Sequence, residues 1–348
     1  MNIFFEFLRI FTWDKSFRKN RFIGSPFLNR VGLHVARVVV AHFLFQARLF
    51  ILGFLLPQEL RRKFNKNGYL VFNNFLPEEQ FESLKQELLA YNGTIEDLAE
   101  GDTLSQRVYL DTQGFAKLPA CSKVLHSKTL TKILRYCSSK NRLPSYYIEN
   151  IRQHFIHTEE SDPQKDLHSD TFHPTVKAWL FIDDVTAKNG AFTYVPESNQ
   201  LSFKRLRWEY SESLIASGYQ DNDNKNRYWN GSFRINSKDL AALAYPDPVS
   251  IEVPANTLVV ANTHGFHCRG NALAHEPRMS ILMFLRDNPF TPFPAPLPQL
   301  AFWLHEKVWA QMVKKQNAGL IKRGVLVLHE TKFERGQAPS LHWTGNKG

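Results

Sequence analysis

The segment Asp166-Leu167-His168-Ser169-Asp170 sets an imidazole and a carboxylate two residues apart. Residues i and i+2 of an extended chain project to the same side, so one ion could sit between them. Alone the pattern is weak, because an H-x-D arises by chance about half a time in a chain of this length and composition. A distant third ligand gives it meaning: two histidines and one carboxylate on one face of a metal leave positions open, as in the non-haem Fe(II) oxygenases. The run Leu258-Val-Val-Ala-Asn-Thr-His264-Gly-Phe-His267-Cys-Arg-Gly270 offers two candidates, His264 and His267, at the end of an apolar strand. Arg278 follows His267 by eleven residues, and a hairpin between them would bring a guanidinium near the metal, placed to fork onto a carboxylate. His157-Thr-Glu159 is a second H-x-carboxylate, but Glu159-Glu160-Ser161-Asp162 reads as a solvated loop. The plainest alternative for His168 and Asp170 is a hydrogen-bonded surface pair. Such nitrogen and oxygen ligands would also accept Mn, Co or Ni.

Residues this far apart need a rigid frame, and the chain after residue 62 has the texture of one. Short strand-like runs fall at 69–72, 146–156, 176–182, 191–195, 257–261 and 280–285, with turn signals between them. One helix opens at Pro77-Glu78-Glu79 and stops at Asn92-Gly93, and a second is expected over 127–139. Many short strands of this kind predict a barrel or double-sheet jelly roll. Residues 200–249 are polar and aromatic, with Trp208, Tyr210, Tyr219, Tyr228 and Trp229, and are expected to form an insertion across the barrel mouth. The proline-rich stretch 288–298 marks a boundary, after which 300–313 reads as a short amphipathic helix in a basic tail. The expected division is a basic, aromatic-rich helical segment 1–62, a catalytic domain 63–288 with its insertion, and a linker and tail 289–348.

With 348 residues, 43% of them hydrophobic and 22% charged, the chain is globular rather than disordered or fibrous. Its three cysteines, Cys121, Cys137 and Cys268, form no CxxC pair, which excludes a disulfide framework and a cysteine zinc site and suits a reducing compartment. The net charge of +10 is uneven: residues 1–62 carry +7 and 11 of the 28 Phe. Basic residues interleaved with aromatics suit an anionic membrane surface, so no nucleic-acid partner is expected. Within 31–56, Arg37 and Arg48 leave no uncharged piece longer than ten residues, too short for a span. Arg30, Arg37 and Arg48 share a narrow helical sector beside His34, leaving a wide apolar face. Such a helix could lie in the membrane interface with its arginines at the headgroups, or pack on the catalytic domain. Glu6 and Asp14 interrupt any secretory signal, so the expected location is cytoplasmic, peripheral on the cytoplasmic face of a membrane.

From Gly68-Tyr-Leu-Val, through H-S-D…K-A-W-L-F-I-D-D-V…N-G-A-F-T-Y-V-P (168–196), to H-x10-R-x-S (267–280), the sequence resembles the phytanoyl-CoA dioxygenase family of Fe(II)- and 2-oxoglutarate-dependent oxygenases. The resemblance covers most of 64–288 and neither end. It implies a mainly β fold with flanking helices around a double-stranded β-helix, the cupin-like jelly roll. By the same resemblance His168, Asp170 and His267 are the iron ligands, and Arg278, supported by Ser280, partners the C5 carboxylate of 2-oxoglutarate. Gln153 and Trp179 match positions that line the cosubstrate pocket. Where the family has a small or hydroxylated residue two after the distal histidine, this chain has Arg269. Halogenase-type relatives lack the carboxylate, so Asp170 points to hydroxylation. The implied reaction consumes O2 and 2-oxoglutarate, releases succinate and CO2, and hydroxylates an aliphatic C–H of a small molecule; the N-terminal segment suggests a lipid or lipid-linked one. The competing readings are a non-catalytic jelly-roll binding module and a nucleic-acid-directed oxygenase, the latter requiring the positive charge to line the barrel mouth.

Overall fold

The computed structural model describes residues 3–142, 144–218, 231–294, 311–333 and 335. Among the described residues, eleven strands make two antiparallel sheets: β1 Tyr69–Phe72, β2 Asn92–Glu100, β3 Thr103–Leu110, β4 Ser145–Arg152, β5 Val176–Phe181, β6 Phe192–Tyr194, β7 Val249–Ile251, β8 Thr257–Asn262, β9 His267–Arg269, β10 Arg278–Leu285 and β11 Leu326–Lys332. The larger sheet runs β1-β8-β5-β10-β4-β3-β2-β11 and the smaller β7-β6-β9. The two sheets do not close, and with the helices on the larger one they form the jelly-roll core expected.

Period-2 alternation decides what each face does. On β8, Leu258 and Val260 join a core with the helices, while Val259 and Ala261 face the smaller sheet. On β5, Ala178 and Leu180 point to the helices and Phe181 to the smaller sheet, with Trp179 packed beside it. On β10, Met279, Ile281 and Met283 are in the helical core, so the intervening residues line the opposite face. Helices Gln58–Asn67, Glu78–Leu89 and Lys128–Cys137 bury Phe64, Phe81, Leu84, Leu88, Leu130, Ile133 and Leu134 against that core. Each such side chain contributes roughly 1.5–3 kcal/mol.

Two elements depart from expectation. The 78–89 helix ends at Leu89, and 92–110 forms the β2–β3 hairpin; β2 is polar and half-exposed, and β3 is mostly buried but carries Ser105, Gln106 and Arg107 in a row, so neither shows a clean hydrophobic alternation. Strand β11 comes from the tail and pairs with β2 from Leu326↔Leu98 to Lys332↔Asn92. Of the 300–313 helix expected, most lies outside the described residues; 311–322 is helical.

Helix Leu33–Ile51 had two expected placements, in the membrane interface with its arginines at the headgroups or packed on the catalytic domain, and its arginines face the protein. Arg37 donates to the carbonyls of Ile10 (2.8 Å), Thr12 (3.1 Å) and Asp14 (2.6 Å) and lies 4.0 Å over the ring of Phe172. Arg48 donates to Ser139 Oγ (3.0 Å) and to the carbonyls of Pro289 (3.1 Å) and Thr291 (2.6 Å). His34 Nε2 lies 2.9 Å from Glu209 Oε2, on helix Phe203–Gly218 of the insertion. A guanidinium has enough donors to satisfy several carbonyls that would otherwise be buried unpaired. The sector turned outward is apolar: Val39, Val40, Phe43 (70% exposed), Phe50 (89%) and, just beyond, Phe54 (79%).

Candidate active site

His168 and Asp170 sit on the extended chain between β4 and β5, and His267 opens β9. The His168 N–H donates to the His267 carbonyl and the His267 N–H to the His168 carbonyl, each at 3.0 Å, which fixes two segments a hundred residues apart side by side. The Nε2 atoms of His168 and His267 each lie 3.7 Å from Asp170 Oδ1, and one ligand atom from each residue lies within 4.8 Å of the others. His168 Nδ1 is 2.7 Å from the Asp166 carbonyl and His267 Nδ1 is 2.9 Å from that of Gly265. A carbonyl only accepts, so both Nδ1 atoms carry a proton and both Nε2 atoms face the gap. The buried Nε2 of His267 has no hydrogen-bond partner among the described residues. Burial, with His168 alongside, lowers the His267 pKa to about 3, so the ring is neutral as a metal ligand must be. Burial by itself would raise Asp170, but Lys177 and the two imidazoles hold its carboxyl well below the usual range. Two imidazoles turned by their backbone partners, a carboxylate and an unsatisfied buried nitrogen fit a divalent metal.

The triad opens on a cavity of about 370 Å³ whose wall includes Trp179, Phe192, Arg278, Leu282 and Phe284. Trp179 packs against Phe192 with centroids 4.6 Å apart and the rings tilted by 39°. Arg278 Nη1 donates to the Gly190 carbonyl, and its Nε is buried without a partner. Burial, with Arg269 nearby, lowers Arg278 to about 10, which leaves it cationic at neutral pH. Ser280 shares that face of β10 but is enclosed, between Glu149 of β4 and Phe181 of β5. Gln153 was expected on the pocket wall and is placed elsewhere. Its Nε2 donates to the Gly270 carbonyl (2.8 Å) and its Oε1 accepts from Ala272 N (3.1 Å), so it pins the hairpin that joins His267 to Arg278.

The other sequence candidates stay apart from the triad. His264 is fully buried, with Nδ1 3.1 Å from the Thr171 carbonyl and its ring 6.0 Å from that of His42. His157 and Glu159 are exposed. Of the insertion, residues 231–235 run beside the H-x-D segment, since Ser169 N donates to the Phe233 carbonyl and Ser232 Oγ to that of Asp170. Trp229 and its neighbours over 219–230 lie outside the described residues. Sequence reasoning missed Lys177, Arg107, Glu149 and Arg286 on the cavity wall. Their signal was the two-residue spacing itself, which sets Lys177 on the side of Trp179 and Arg286 on that of Arg278.

The family model for phytanoyl-CoA dioxygenase matches residues 64–230, the stretch that carries His168, Asp170 and Trp179. The chain carries a phytanoyl-CoA dioxygenase family domain. That domain is of an oxygenase family, and the cluster of His168, Asp170 and His267 is one that could hold a metal ion. No curated protein matches the sequence. Among solved structures, the epimerase SnoN in complex with Fe3+, alpha ketoglutarate and nogalamycin RO is similar at 16% identity and TM-score 0.41, over 65% of this chain and 82% of its own. HygX from Streptomyces hygroscopicus, with nickel, 2-oxoglutarate and hygromycin B bound, is similar at 18% identity and TM-score 0.41, over 66% and 86%. EctD from S. alaskensis with bound Fe gives 13% identity and TM-score 0.42, over 66% and 76%. Likeness at this level identifies no substrate for the phytanoyl-CoA dioxygenase domain.

Proposed function

We propose that the chain hydroxylates an aliphatic C–H of a small-molecule substrate, a lipid or lipid-linked compound met at a membrane surface. Iron is held by His168, Asp170 and His267, and the far carboxylate of 2-oxoglutarate by Arg278 with Ser280 behind it. The observation that carries this reading is the pair of Nε2 atoms converging on Asp170 Oδ1, at the edge of a cavity that also contains a guanidinium with a free Nε. Bound iron, 2-oxoglutarate and O2 supply the oxidant, and succinate and CO2 leave. The protein contributes position and dryness: the Asp166 and Gly265 carbonyls aim the imidazoles, and Trp179 and Phe192 shield the reacting C–H from water.

The catalytic unit proposed is 63–288 with its insertion 200–249, flanked by the segment 1–62 and the tail 289–348. The first segment rests on the cytoplasmic face of a membrane as a peripheral contact. Its support is the outward apolar sector of helix Leu33–Ile51, together with exposed Arg18, Lys19, Arg21 and Arg30. That helix is long and apolar enough to cross a bilayer. Its inner face, tied to the fold through Arg37, Arg48 and His34, favours lying in the interface over spanning it. The test is incubation of the iron-loaded protein with 2-oxoglutarate, 18O2 and a membrane lipid extract. Succinate formation coupled to one labelled oxygen in a lipid product is expected; labelling confined to water-soluble metabolites would overturn the lipid assignment.

A further inference from the structure

The alternation that sends Arg278, Ser280, Leu282 and Phe284 to one face of β10 carries Arg286, one residue past the strand, to the same side. The cavity is basic: Arg107, Lys177, Arg269, Arg278 and Arg286 line it, against Glu100 and Glu149. Two of these cations have carboxylates of their own. Arg107 Nη2 lies 2.7 Å from Glu149, and Arg269 lies 2.5 Å from Asp162 and 3.3 Å from Glu100. Arg278 belongs to 2-oxoglutarate on the reading above. Lys177 Nζ is 2.9 Å from Asp170, the carboxylate that iron would engage.

Arg286 is different. Among the described residues it makes no ion pair, its Nε is buried without an acceptor, and its guanidinium lies 5.2 Å from the ring of Phe284. Arg286 and Phe284 also form the wall shared with a second, smaller depression lined by Arg48, Lys140, Arg142 and Asp287. There one carboxylate serves two cations, Asp287 lying 3.2 Å from Arg142 and 3.9 Å from Lys140, and Arg142 Nε too is buried without a partner. The one carboxylate whose charge reaches Arg286 is Asp170, which iron would engage on the reading above; a guanidinium left without an ion pair is costly, and its planar fork matches two oxygens of a phosphate or carboxylate.

We propose that Arg286, with Lys177 beside it, binds an oxyanion of the substrate, a phosphoryl or carboxylate group, and so selects acidic substrates over neutral ones. The anion sits where the catalytic cavity meets the second depression, and the rest of the molecule extends past Phe284 towards the triad. This rests on the iron and 2-oxoglutarate reading, which assigns Arg278 and Asp170 to other partners.

The test uses the full chain, loaded anaerobically with Fe(II) and 2-oxoglutarate and titrated by calorimetry with dodecyl phosphate, dodecanol and inorganic phosphate. Dodecyl phosphate should bind at least about tenfold more tightly than dodecanol, the worth of one charge-assisted hydrogen bond. Arg286→Gln should remove that preference, Arg286→Lys should keep part of it, and both should bind 2-oxoglutarate like the wild type. Competition by inorganic phosphate at similar concentrations assigns the site to a free anion, and its failure to compete assigns it to a lipid headgroup. Equal binding of phosphate and alcohol overturns the proposal, as does an Arg286→Gln variant that loses 2-oxoglutarate as Arg278→Gln does. If no metal and 2-oxoglutarate complex forms, the iron reading fails by itself, and the phosphate preference of the metal-free chain still decides for or against Arg286.

Discussion

At the scale of single residues the site depends on a few positions that tolerate no side chain or no other donor. Gly190 has φ +76°, accepts from Arg278 through its carbonyl, and lies so close to Gln153 Nε2 and the Gly270 carbonyl that an added Cβ would collide with both. Gly190→Ala should therefore destabilise the fold by about 2–4 kcal/mol, from left-handed backbone strain plus overpacking. Because it displaces the Arg278 support, it should also weaken 2-oxoglutarate binding, and calorimetry with thermal unfolding checks both effects. A variant as stable as wild type, with unchanged affinity, would show that the 190–191 turn does not hold Arg278. That His168, Asp170 and His267 converge, with Arg278 on the wall of the same cavity, follows an order and spacing the motif already states. Gln153 was misplaced because a motif position does not say whether a side chain faces the pocket or, as here, the backbone behind it.

At the scale of elements, strands with one buried face were legible, and those without one were not. β5, β8 and β10 carry unbroken apolar positions and were placed within a residue or two. β2 lies between β3 and β11, and β3 between β2 and β4, so their order comes from partners distant in sequence and no local pattern betrays them. Helix Leu33–Ile51 shows a different limit: its periodicity separates a basic sector from an apolar one but does not say which faces the protein. The observed orientation separates two variants. Arg37→Met removes the donor to three carbonyls and should cost about 2–4 kcal/mol in thermal unfolding, while leaving vesicle binding of the folded protein unchanged. Phe50→Ser, at a site 89% exposed, should leave stability within about 0.5 kcal/mol and weaken sedimentation with anionic vesicles. If Arg37→Met releases folded protein from vesicles and Phe50→Ser does not, the arginine sector is the membrane face after all.

At the scale of the whole molecule, burial of neutral histidines ties stability to pH. Burial lowers His42 to about 4 and His264 and His267 to about 3, from an ordinary value of 6.5. Between the folded and ordinary values the unfolded chain binds more protons, so stability rises with pH there. The contribution is complete above about pH 6.5 and is lost on acidification, by up to about 1.4 kcal/mol per pH unit for each histidine. The metal-free protein should melt at clearly lower temperature at pH 5 than at pH 7, and His42→Phe should flatten part of that slope. A melting temperature independent of pH over this window would contradict the burial of these rings.

The central claim is that His168, Asp170 and His267 hold iron and Arg278 holds 2-oxoglutarate beside it. Anaerobic titration of the purified protein with Fe(II) and then 2-oxoglutarate, followed through the visible charge-transfer band, tests it most directly. The band should form in wild type, be absent in His168→Ala and need far more 2-oxoglutarate in Arg278→Ala. Folded, metal-replete wild type that shows no band, or a His168→Ala variant that keeps it, would contradict the account.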